Sequence, residues 1–350
     1  MVPQWHRVGM LPTSFVRLGA AAAGVVLGGA LLGPSSASGA TVGDRGLPAP
    51  AVTGFILDGA PDSLVHQNAP ALANLGVDGV TITANGRHVN APSAGATRLL
   101  ATAHADGLRA ELLVSNFSST TYDFDPQAGA NLLRDEDNVR RVAGELAGFV
   151  ADQGWDGIAV DLESLRRADA DGLLLLIDEL QARMDPARTV SIDMMASSYL
   201  PEYRARGYRL GAIGRAVDVL AIMTYDFHGP TWSGPGPIGP LGWQRDVLDL
   251  LVTKVPRAKI DLGVAGYGYT WPRSGTGHTV SVRRARALVA ADGARAVWKA
   301  RPGEWKATLS NGTVMWWSDG RSYDLRKALA QEYAVHGLAL WRLGSTDTLD

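Results

Sequence analysis

The chain has 350 residues, and 33 Lys or Arg against 35 Asp or Glu give it a formal net charge of −2. With 46% apolar and 19% charged residues, its composition excludes a disordered protein. A near-neutral charge provides no basic surface for nucleic acid. The chain contains no cysteine, which excludes disulfides, thiol catalysis and thiolate-ligated metals. This length suits two domains or a single α/β barrel of about 250 residues.

Residues 1–40 have the pattern of a secretory signal peptide. A basic start precedes an uncharged run over residues 18–33, and small residues follow, with cleavage expected after Ala37 or Ala40. The run of about 16 residues is shorter than the roughly 20 that span a bilayer, although an uncleaved anchor is the alternative. Residues 41–51 are expected to form a flexible lead-in. We therefore expect a secreted, extracellular or cell-wall-associated protein without stable membrane association after cleavage.

From residue 52 onward, short apolar runs alternate with amphipathic helical stretches such as 137–153 and 168–184. Eight strands are predicted, over residues 53–57, 79–83, 109–115, 157–162, 189–195, 217–224, 261–266 and 337–342. This alternation predicts a parallel α/β sheet, and eight strands in about 290 residues predict a closed (β/α)8 TIM barrel. The alternative, a doubly wound Rossmann-like sheet, is disfavoured because no G-x-G-x-x-G motif follows the first strand.

About 70 residues separate the seventh and eighth predicted strands, which is more than one connecting helix needs. Much of this stretch is irregular and rich in tryptophan. We expect residues 272–318 to form a small inserted subdomain on the carboxyl-terminal face of the barrel, within a catalytic domain of residues 52–350. Most of its tryptophans are expected in the subdomain core.

The fourth predicted strand carries two closely spaced carboxylates. Because side chains alternate along a strand, Ala159, Asp161 and Glu163 share the inner face, while the apolar residues between them face the helices. Barrel enzymes place their chemistry at the carboxyl ends of strands. Neighbouring carboxylates raise one pKa, and a carboxyl that is protonated near neutral pH can act as a general acid. Solvated strand-end acids and a divalent metal site are the alternatives, and no third ligand for a metal is evident.

Residues 156–163 (DGIAVDLE) resemble the D-G-x-D-x-D-x-E signature of glycoside hydrolase family 18, the chitinase family. Three later segments resemble motifs of that family in the same order, namely 223–226 (MTYD), 263–269 (GVAGYGY) and 337–344 (GLALWRLG). Together with 113–117 and 234–237, these segments are most similar to the bacterial cortex-lytic and cell-wall N-acetylglucosaminidase branch. The resemblance spans about residues 52–347.

The resemblance implies a substrate-assisted mechanism, which is an exception to the usual scheme of two protein carboxylates. Glu163 would protonate the glycosidic oxygen and then activate water, while the substrate's own 2-acetamido carbonyl attacks the anomeric carbon. Asp161 would hold the acetamido N–H and stabilise the developing positive charge. Tyr225 would donate its hydroxyl to the acetamido oxygen, and Asp226 would orient the distorted sugar. The expected outcome is net retention.

Five further residues are expected to bind substrate: Trp341, Asp156, Tyr267, Asn116 and Trp232. By the resemblance, Trp341 forms the floor on which the sugar's apolar face stacks. Tyr267 shares a strand face with Tyr269 and Trp271, so it lies either in the cleft wall or in insert packing. Asn116 has loop capping as an alternative role.

One position departs from the family signature. Ala159 replaces the inner aspartate, so Asp161 lacks a carboxylate below it with which to share a proton. We therefore expect Asp161 to be more fully ionised than in a typical chitinase, with consequences for the pH optimum and turnover. Asp193, in the fifth strand, is left out of the site because its neighbour Met194 could be the residue that faces inward.

The sequence thus predicts a secreted glycoside hydrolase that cleaves β-1,4-linked N-acetylglucosamine polymers. Peptidoglycan or a related cell-wall glycan is the first expected substrate, and chitin is the second. We expect a monomer that needs no cofactor and no metal. The alternatives are a catalytically silent glycan-binding protein on the same scaffold and a metal-dependent barrel hydrolase.

Overall fold

A computed structural model describes residues 49–349 of the chain, and the predicted signal peptide lies outside them. The strands are β1 (Ala51–Leu57), β2 (Asn74–Thr81), β3 (Arg109–Ser115), β4 (Phe117–Ser118), β5 (Asp123–Phe124), β6 (Gly157–Asp161), β7 (Thr189–Met195), β8 (Val219–Met223), β9 (Ile260–Ala265), β10 (Tyr267–Trp271), β11 (Thr279–Ser281), β12 (Val297–Lys299), β13 (Glu304–Thr308), β14 (Val314–Trp317) and β15 (Gly337–Trp341). The helices are α1 (Ser63–Asn68), α2 (Ala94–Ala105), α3 (Pro126–Leu133), α4 (Glu136–Gln153), α5 (Ala170–Arg183), α6 (Leu200–Ala205), α7 (Leu210–Ala216), α8 (Leu241–Leu251), α9 (Val282–Asp292) and α10 (Gly320–Tyr333). None of the helices within residues 49–349 is long and apolar enough to cross a membrane.

Eight parallel strands close into a barrel in the order β1-β15-β9-β8-β7-β6-β3-β2. This closure confirms the predicted (β/α)8 barrel and excludes the open doubly wound sheet. The strands β3 and β7 have the predicted bounds, and α4 and α5 lie within two residues of the predicted helices. The strand β2 begins at Asn74, five residues before the predicted start, because pairing with β1 and β3 extends it beyond its most apolar part.

The barrel wall separates an outer core from a smaller inner one. Ile158 and Val160 of β6 are fully buried in the outer core, between the strands and the surrounding helices. The helix α4 buries one face there, and its N-cap residue Asp135 accepts a hydrogen bond from the backbone N–H of Asn138. It ends at Gln153 and is followed by Gly154, whose φ of 83° suits glycine. The inner core consists of Phe55, Leu113, Ala159, Ala221 and Ala339.

A five-stranded antiparallel sheet with the order β11-β10-β14-β13-β12 is inserted between β9 and β15. It begins at Tyr267, five residues before the predicted start of the insert, because only Gly266 separates β10 from the barrel strand β9. Its small core contains Val282 and Met315, and it includes the ring of Trp317, on which Trp305 stacks at 6.2 Å. The insert is therefore joined to the barrel by a nearly continuous strand.

A buried ion pair ties the loop after β8 to the insert and to α10. Glu304 and Arg326 lie 3.3 Å apart, with side chains 0% and 1% exposed. The Glu304 carboxylate accepts hydrogen bonds from the backbone N–H groups of Ile238 and Gly239, each at 2.7 Å. Arg326 donates to the carbonyl oxygens of Gly303 and Gly239. This network fixes the loop that borders the mouth of the barrel.

Candidate active site

Four of the predicted catalytic side chains meet at the carboxyl-terminal mouth of the barrel. Asp161 is the last residue of β6, and Glu163 follows two residues later. Tyr225 and Asp226 follow β8 after one intervening residue, Thr224. The negative charges of Asp161 and Asp226 both act on Glu163, and the same carboxylates act on the Tyr225 hydroxyl. Because the strands are parallel, their carboxyl ends bring these residues together at one opening.

The backbone of Glu163 is held by the side chain of Asn116, which follows β3. The Asn116 amide donates to the Glu163 carbonyl oxygen at 2.9 Å, and its oxygen accepts from the Glu163 N–H at 2.9 Å. It also donates to the carbonyl oxygen of Asp125, and Asn116 is 1% exposed. The predicted substrate contact of Asn116 is therefore wrong, because its amide is buried and occupied by backbone groups. Asn116 is a positioning residue for Glu163.

The surroundings of Glu163 favour its protonated form. Burial, followed by the charges of Asp161 and Asp226, raises the pKa of Glu163 well above its ordinary value. A carboxyl with a raised pKa retains its proton near neutral pH and can transfer it to a leaving oxygen. Glu163 therefore has the electrostatic environment that a general acid requires.

Asp161 lies deeper, at 7% exposure, and its Oδ1 atom is buried without a hydrogen-bond partner. Burial, and then the charge of Asp78 on β2, raises the pKa of Asp161 to about 7. Even without a carboxylate at position 159, burial and the charge of Asp78 therefore oppose the ionisation of Asp161. The Oδ1 atom of Asp161 can therefore accept a further hydrogen bond.

Asp226 is fixed by two tyrosines of the inserted sheet. Its Oδ1 atom accepts hydrogen bonds from the hydroxyl groups of Tyr267 at 2.5 Å and Tyr269 at 2.8 Å. Its φ of 57° lies in the left-handed region, which aspartate tolerates better than most residues. Tyr225 packs edge-on against Tyr267, with ring centroids 6.3 Å apart. The sequence left Tyr267 either in the cleft wall or in the insert, and the structure places it in β10 of the inserted sheet, 4% exposed, with its hydroxyl on Asp226.

Two tryptophans border this cluster. Trp341, the last residue of β15, is half-buried and packs on Phe55 of the inner core at 6.0 Å. It also contacts the aromatic cluster around Tyr225, so it lies between the barrel interior and the mouth. Trp232, in the loop after β8, is half-buried and packs edge-on against Tyr269 at 5.8 Å. Trp341 and Trp232 thus both pack against the aromatic cluster that surrounds Tyr225.

Asp156 lies at the opposite end of the barrel, immediately before β6. Its carboxylate accepts from the backbone N–H of Ala110 at 2.9 Å and pairs with His104 at 2.8 Å and Arg188 at 3.2 Å. Although burial raises the pKa of Asp156, the hydrogen bonds from Ala110 and His104 outweigh that effect and lower it. The predicted substrate contact of Asp156 is wrong, because a residue at the amino end of the strand is a strand's length away from Glu163.

Sequence reasoning missed two carboxylates that face the barrel interior. Met194 is fully buried in the outer core, so its neighbour Asp193 on β7 points inward, where it is 6% exposed. The alternation of Val190, Ile192 and Met194 with polar residues was the signal that could have revealed it. Asp78 on β2 also acts electrostatically on Asp161. Within residues 49–349, no group of three or more acidic or histidine side chains is arranged to hold a metal ion.

Comparison with known proteins gives the same family by sequence and by structure. The family model described as glycosyl hydrolases family 18 matches residues 122–346. The uncharacterized glycosylase YvbX of Bacillus subtilis is 22% identical over 259 residues, covering 71% of this chain and 75% of YvbX. The cortical fragment-lytic enzyme of the same organism is 26% identical over 293 residues, covering 80% of this chain and 66% of that enzyme.

A solved structure extends the similarity to the three-dimensional level. The crystal structure of a chitinase from Chromobacterium violaceum aligns with a TM-score of 0.77 and 27% identity, covering 85% of this chain and 96% of that one. The family model covers well over half of the chain, and its range includes Glu163, Tyr225 and Trp341. The chain therefore belongs to glycosyl hydrolase family 18, with bacterial cortex-lytic enzymes and chitinases among its relatives.

Proposed function

We propose that this protein is an exported glycoside hydrolase that cleaves β-1,4-linked N-acetylglucosamine polymers by substrate-assisted, retaining catalysis. The observation that carries the proposal is the pairing of Glu163, whose pKa is raised well above its ordinary value, with a buried Asp161 oxygen that lacks a partner. One group supplies a proton, and the other accepts a hydrogen bond from the substrate. Both lie at the mouth of the barrel, where a polymer can enter.

The residues divide the reaction between them. Glu163 protonates the glycosidic oxygen as the bond to the anomeric carbon breaks, and the acetamido carbonyl oxygen of the same sugar closes onto that carbon. The Oδ1 atom of Asp161 accepts the acetamido N–H, and the Asp161 carboxylate stabilises the positive charge of the resulting oxazolinium ion. The Tyr225 hydroxyl donates to the acetamido oxygen. Glu163, now ionised, then takes a proton from the water that opens the ring, and this second displacement gives net retention.

The other residues shape the sugar site. Trp341 provides a large rigid surface for the apolar face of a sugar ring. Asp226 is held by Tyr267 and Tyr269, so its second carboxylate oxygen is directed by the insert rather than by the barrel alone. The insert therefore helps to position the sugar at the mouth.

A bacterial cell-wall glycan is the substrate that we propose first. The cortical fragment-lytic enzyme is among the relatives and is 26% identical to this chain. The export signal predicted over residues 1–40 would bring the protein to such a polymer. Chitin is the second candidate, because the Chromobacterium violaceum chitinase aligns over 96% of its own length.

The test is hydrolysis of purified peptidoglycan and of chitooligosaccharides by the full chain, with products identified by mass spectrometry. We expect fragments ending in N-acetylglucosamine from the wild type and none from Glu163→Gln. Asp156→Asn is the matched control, since it makes the same carboxyl-to-amide change at the other end of the barrel. Binding of either polymer without cleavage would contradict the proposal and would indicate a glycan-binding protein.

A further inference from the structure

The inner face of the barrel has a carboxylate beside Asp161 that the family signature does not include. The strands β6 and β7 pair in the register Ala159↔Ser191 and Val160↔Ile192, so the next step places Asp193 beside Asp161. Partners in adjacent strands lie about 4.8 Å apart, and their side chains share a face. Ala159 packs in the apolar inner core and contributes no polar group below Asp161. Asp193 is therefore the carboxyl of β7 on the same face as Asp161, and Asp78 on β2 is the other acidic neighbour that acts on Asp161.

The other acidic groups near Asp193 already have partners. The Glu111 carboxylate accepts from the hydroxyl groups of Thr189 at 2.5 Å and Ser191 at 2.7 Å. Asp261 on β9 pairs with the ring of His336 at 2.6 Å. These two carboxyls line, together with Asp193, a cavity of about 170 Å³ that extends through the lower part of the barrel.

The charges around Asp193 favour its neutral form. Burial raises the pKa of Asp193 well above its ordinary value, and Asp161 is the charged neighbour with the largest effect, ahead of Glu111 and Asp261. Asp193 is also the neighbour that acts most strongly on the Tyr225 hydroxyl. The negative charge of Asp161 therefore opposes a second negative charge on Asp193.

We propose that Asp193 is the proton-sharing partner of Asp161, and that it takes the place of the carboxylate that Ala159 lacks. This inference rests on the proposed glycosidase function and deepens it. In the resting pair, the carboxylic acid of Asp193 donates a hydrogen bond to the carboxylate of Asp161. As the oxazolinium ion forms, the proton stays on Asp193 and the negative charge stays on Asp161, facing the substrate. No covalent bond to Asp193 forms or breaks in this step. Asp193 is a positioning residue, because it acts on the reaction only through its hydrogen bond to Asp161.

The pH dependence of kcat/KM tests the proposal. In Asp193→Ala the ionised form of Asp161 loses a charge-assisted hydrogen bond. We therefore expect the acid limb of the kcat/KM profile to move to a pH about one unit higher. At pH values below that limb, kcat/KM of Asp193→Ala is expected to be roughly tenfold lower than that of the wild type. The pH profiles of the two proteins converge at higher pH. Asp193→Asn keeps a donor and is expected to shift the limb less. The double variant Asp193→Ala with Ala159→Asp is expected to restore the profile.

Asp261→Asn is the matched control, because it alters a carboxyl of the same cavity that already pairs with His336. We expect its acid limb to stay in place. Asp193→Ala would overturn the proposal if it lowered kcat/KM equally at every pH, since that result indicates a structural role alone. If Glu163→Gln abolishes hydrolysis but Asp193→Ala leaves the profile unchanged, the inference on Asp193 fails and the proposed function stands.

A second measurement does not depend on hydrolysis. We expect carbon-13 NMR titration of aspartate carboxyls to give two coupled steps for Asp161 and Asp193 in the wild type. Asp161→Asn is expected to lower the pKa of Asp193 because it removes a like charge. A pKa of Asp193 that is the same with and without Asp161 would overturn the proposal even if the protein cleaved no substrate tested.

Discussion

The two ends of the barrel both carry buried or half-buried carboxylates, but those carboxylates differ in their partners. At the amino-terminal end, Asp156 has three hydrogen-bond partners, and Asp261 pairs with His336. At the carboxyl-terminal end, Asp161 has a buried oxygen without a partner, and Glu163 is surrounded by like charges. The partners of Asp156 lower its pKa, whereas burial still raises the pKa of Asp261, and burial with like charges raises the pKa values of Asp161 and Glu163.

This difference separates structural from catalytic carboxylates within one sequence motif. Asp156, Asp161 and Glu163 all belong to the same eight-residue signature, so the motif alone assigned all three to the site. Their hydrogen-bond partners indicate different roles. A carboxylate whose oxygens are hydrogen-bonded stabilises the fold, whereas a carboxylate with an unpaired oxygen is available to a ligand. Substitutions at the two ends should therefore have opposite effects on activity and stability.

The largest expected effect follows from removing the proton donor. Glu163→Gln preserves the shape of the side chain and its hold by Asn116, but it cannot transfer a proton. We expect kcat to fall by about 10²- to 10⁴-fold, the range typical of a lost general acid. Steady-state hydrolysis of a chitooligosaccharide measures this change, and circular dichroism serves as the check on folding. A variant with more than a tenth of the wild-type kcat would refute the role of Glu163.

Removing a paired buried charge should instead destabilise the protein. Arg326→Ala leaves Glu304 buried with its charge uncompensated, so we expect a loss of about 3–5 kcal/mol in the free energy of unfolding. Urea denaturation measures the loss. The exposed pair of Arg245 and Glu332 gives the matched control, since solvent screens this pair and Arg245→Ala is expected to leave the free energy of unfolding nearly unchanged. Equal losses in the two variants would contradict the importance of burial.

Asp161→Asn is expected to reduce activity and to increase stability. The pKa of Asp161 is raised in the folded state, so its ionisation destabilises the fold above the unfolded-state pKa of about 4. We expect a gain on the order of 2 kcal/mol in the free energy of unfolding at pH 7.5, which disappears as the pH falls below about 4. Denaturation of both proteins at several pH values measures it. A loss of stability at pH 7.5 would mean that Asp161 has partners that favour its charge.

Asp156→Asn should lower the free energy of unfolding, which is the reverse of the effect expected for Asp161→Asn. The size of the change should be similar or smaller. The lowered pKa of Asp156 means that its ionised form stabilises the fold above the unfolded-state pKa and that this contribution is lost as the pH falls through the folded-state pKa. We expect a loss of about 2 kcal/mol at pH 7 and a smaller one at pH 3, with kcat close to that of the wild type. A large fall in kcat without a loss of stability would return Asp156 to the active site.

Regular features of the fold were predictable from the sequence, because they depend on local periodicity. The alternation along β6 placed Asp161 and Glu163 on the inner face, and the repeated change between strand and helix patterns predicted the closed barrel. The early start of β2 and the assignment of β10 to the inserted sheet were not predictable, because both depend on pairing between distant segments.

The hydrogen-bond partners of the site residues were even harder to predict from the sequence. Asn116 holds Glu163 across 47 positions of the chain, and Tyr267 reaches Asp226 across 41. No local pattern carries such contacts. Asp193 is different, since the alternation of apolar residues in β7 already indicated that it faces inward, and only the pairing with β6 was missing.

The most direct test of substrate-assisted catalysis at the carboxyl-terminal end is the anomeric form of the first product. Proton NMR spectra recorded during the first minutes of chitooligosaccharide hydrolysis, before mutarotation equilibrates the anomers, identify it. Substrate-assisted catalysis predicts that the β-anomer appears first in the wild type and that Glu163→Gln gives no product at the same enzyme concentration. An initial α-anomer would mean that water attacks the anomeric carbon directly, which would contradict the roles assigned here to Asp161 and to the substrate's acetamido group.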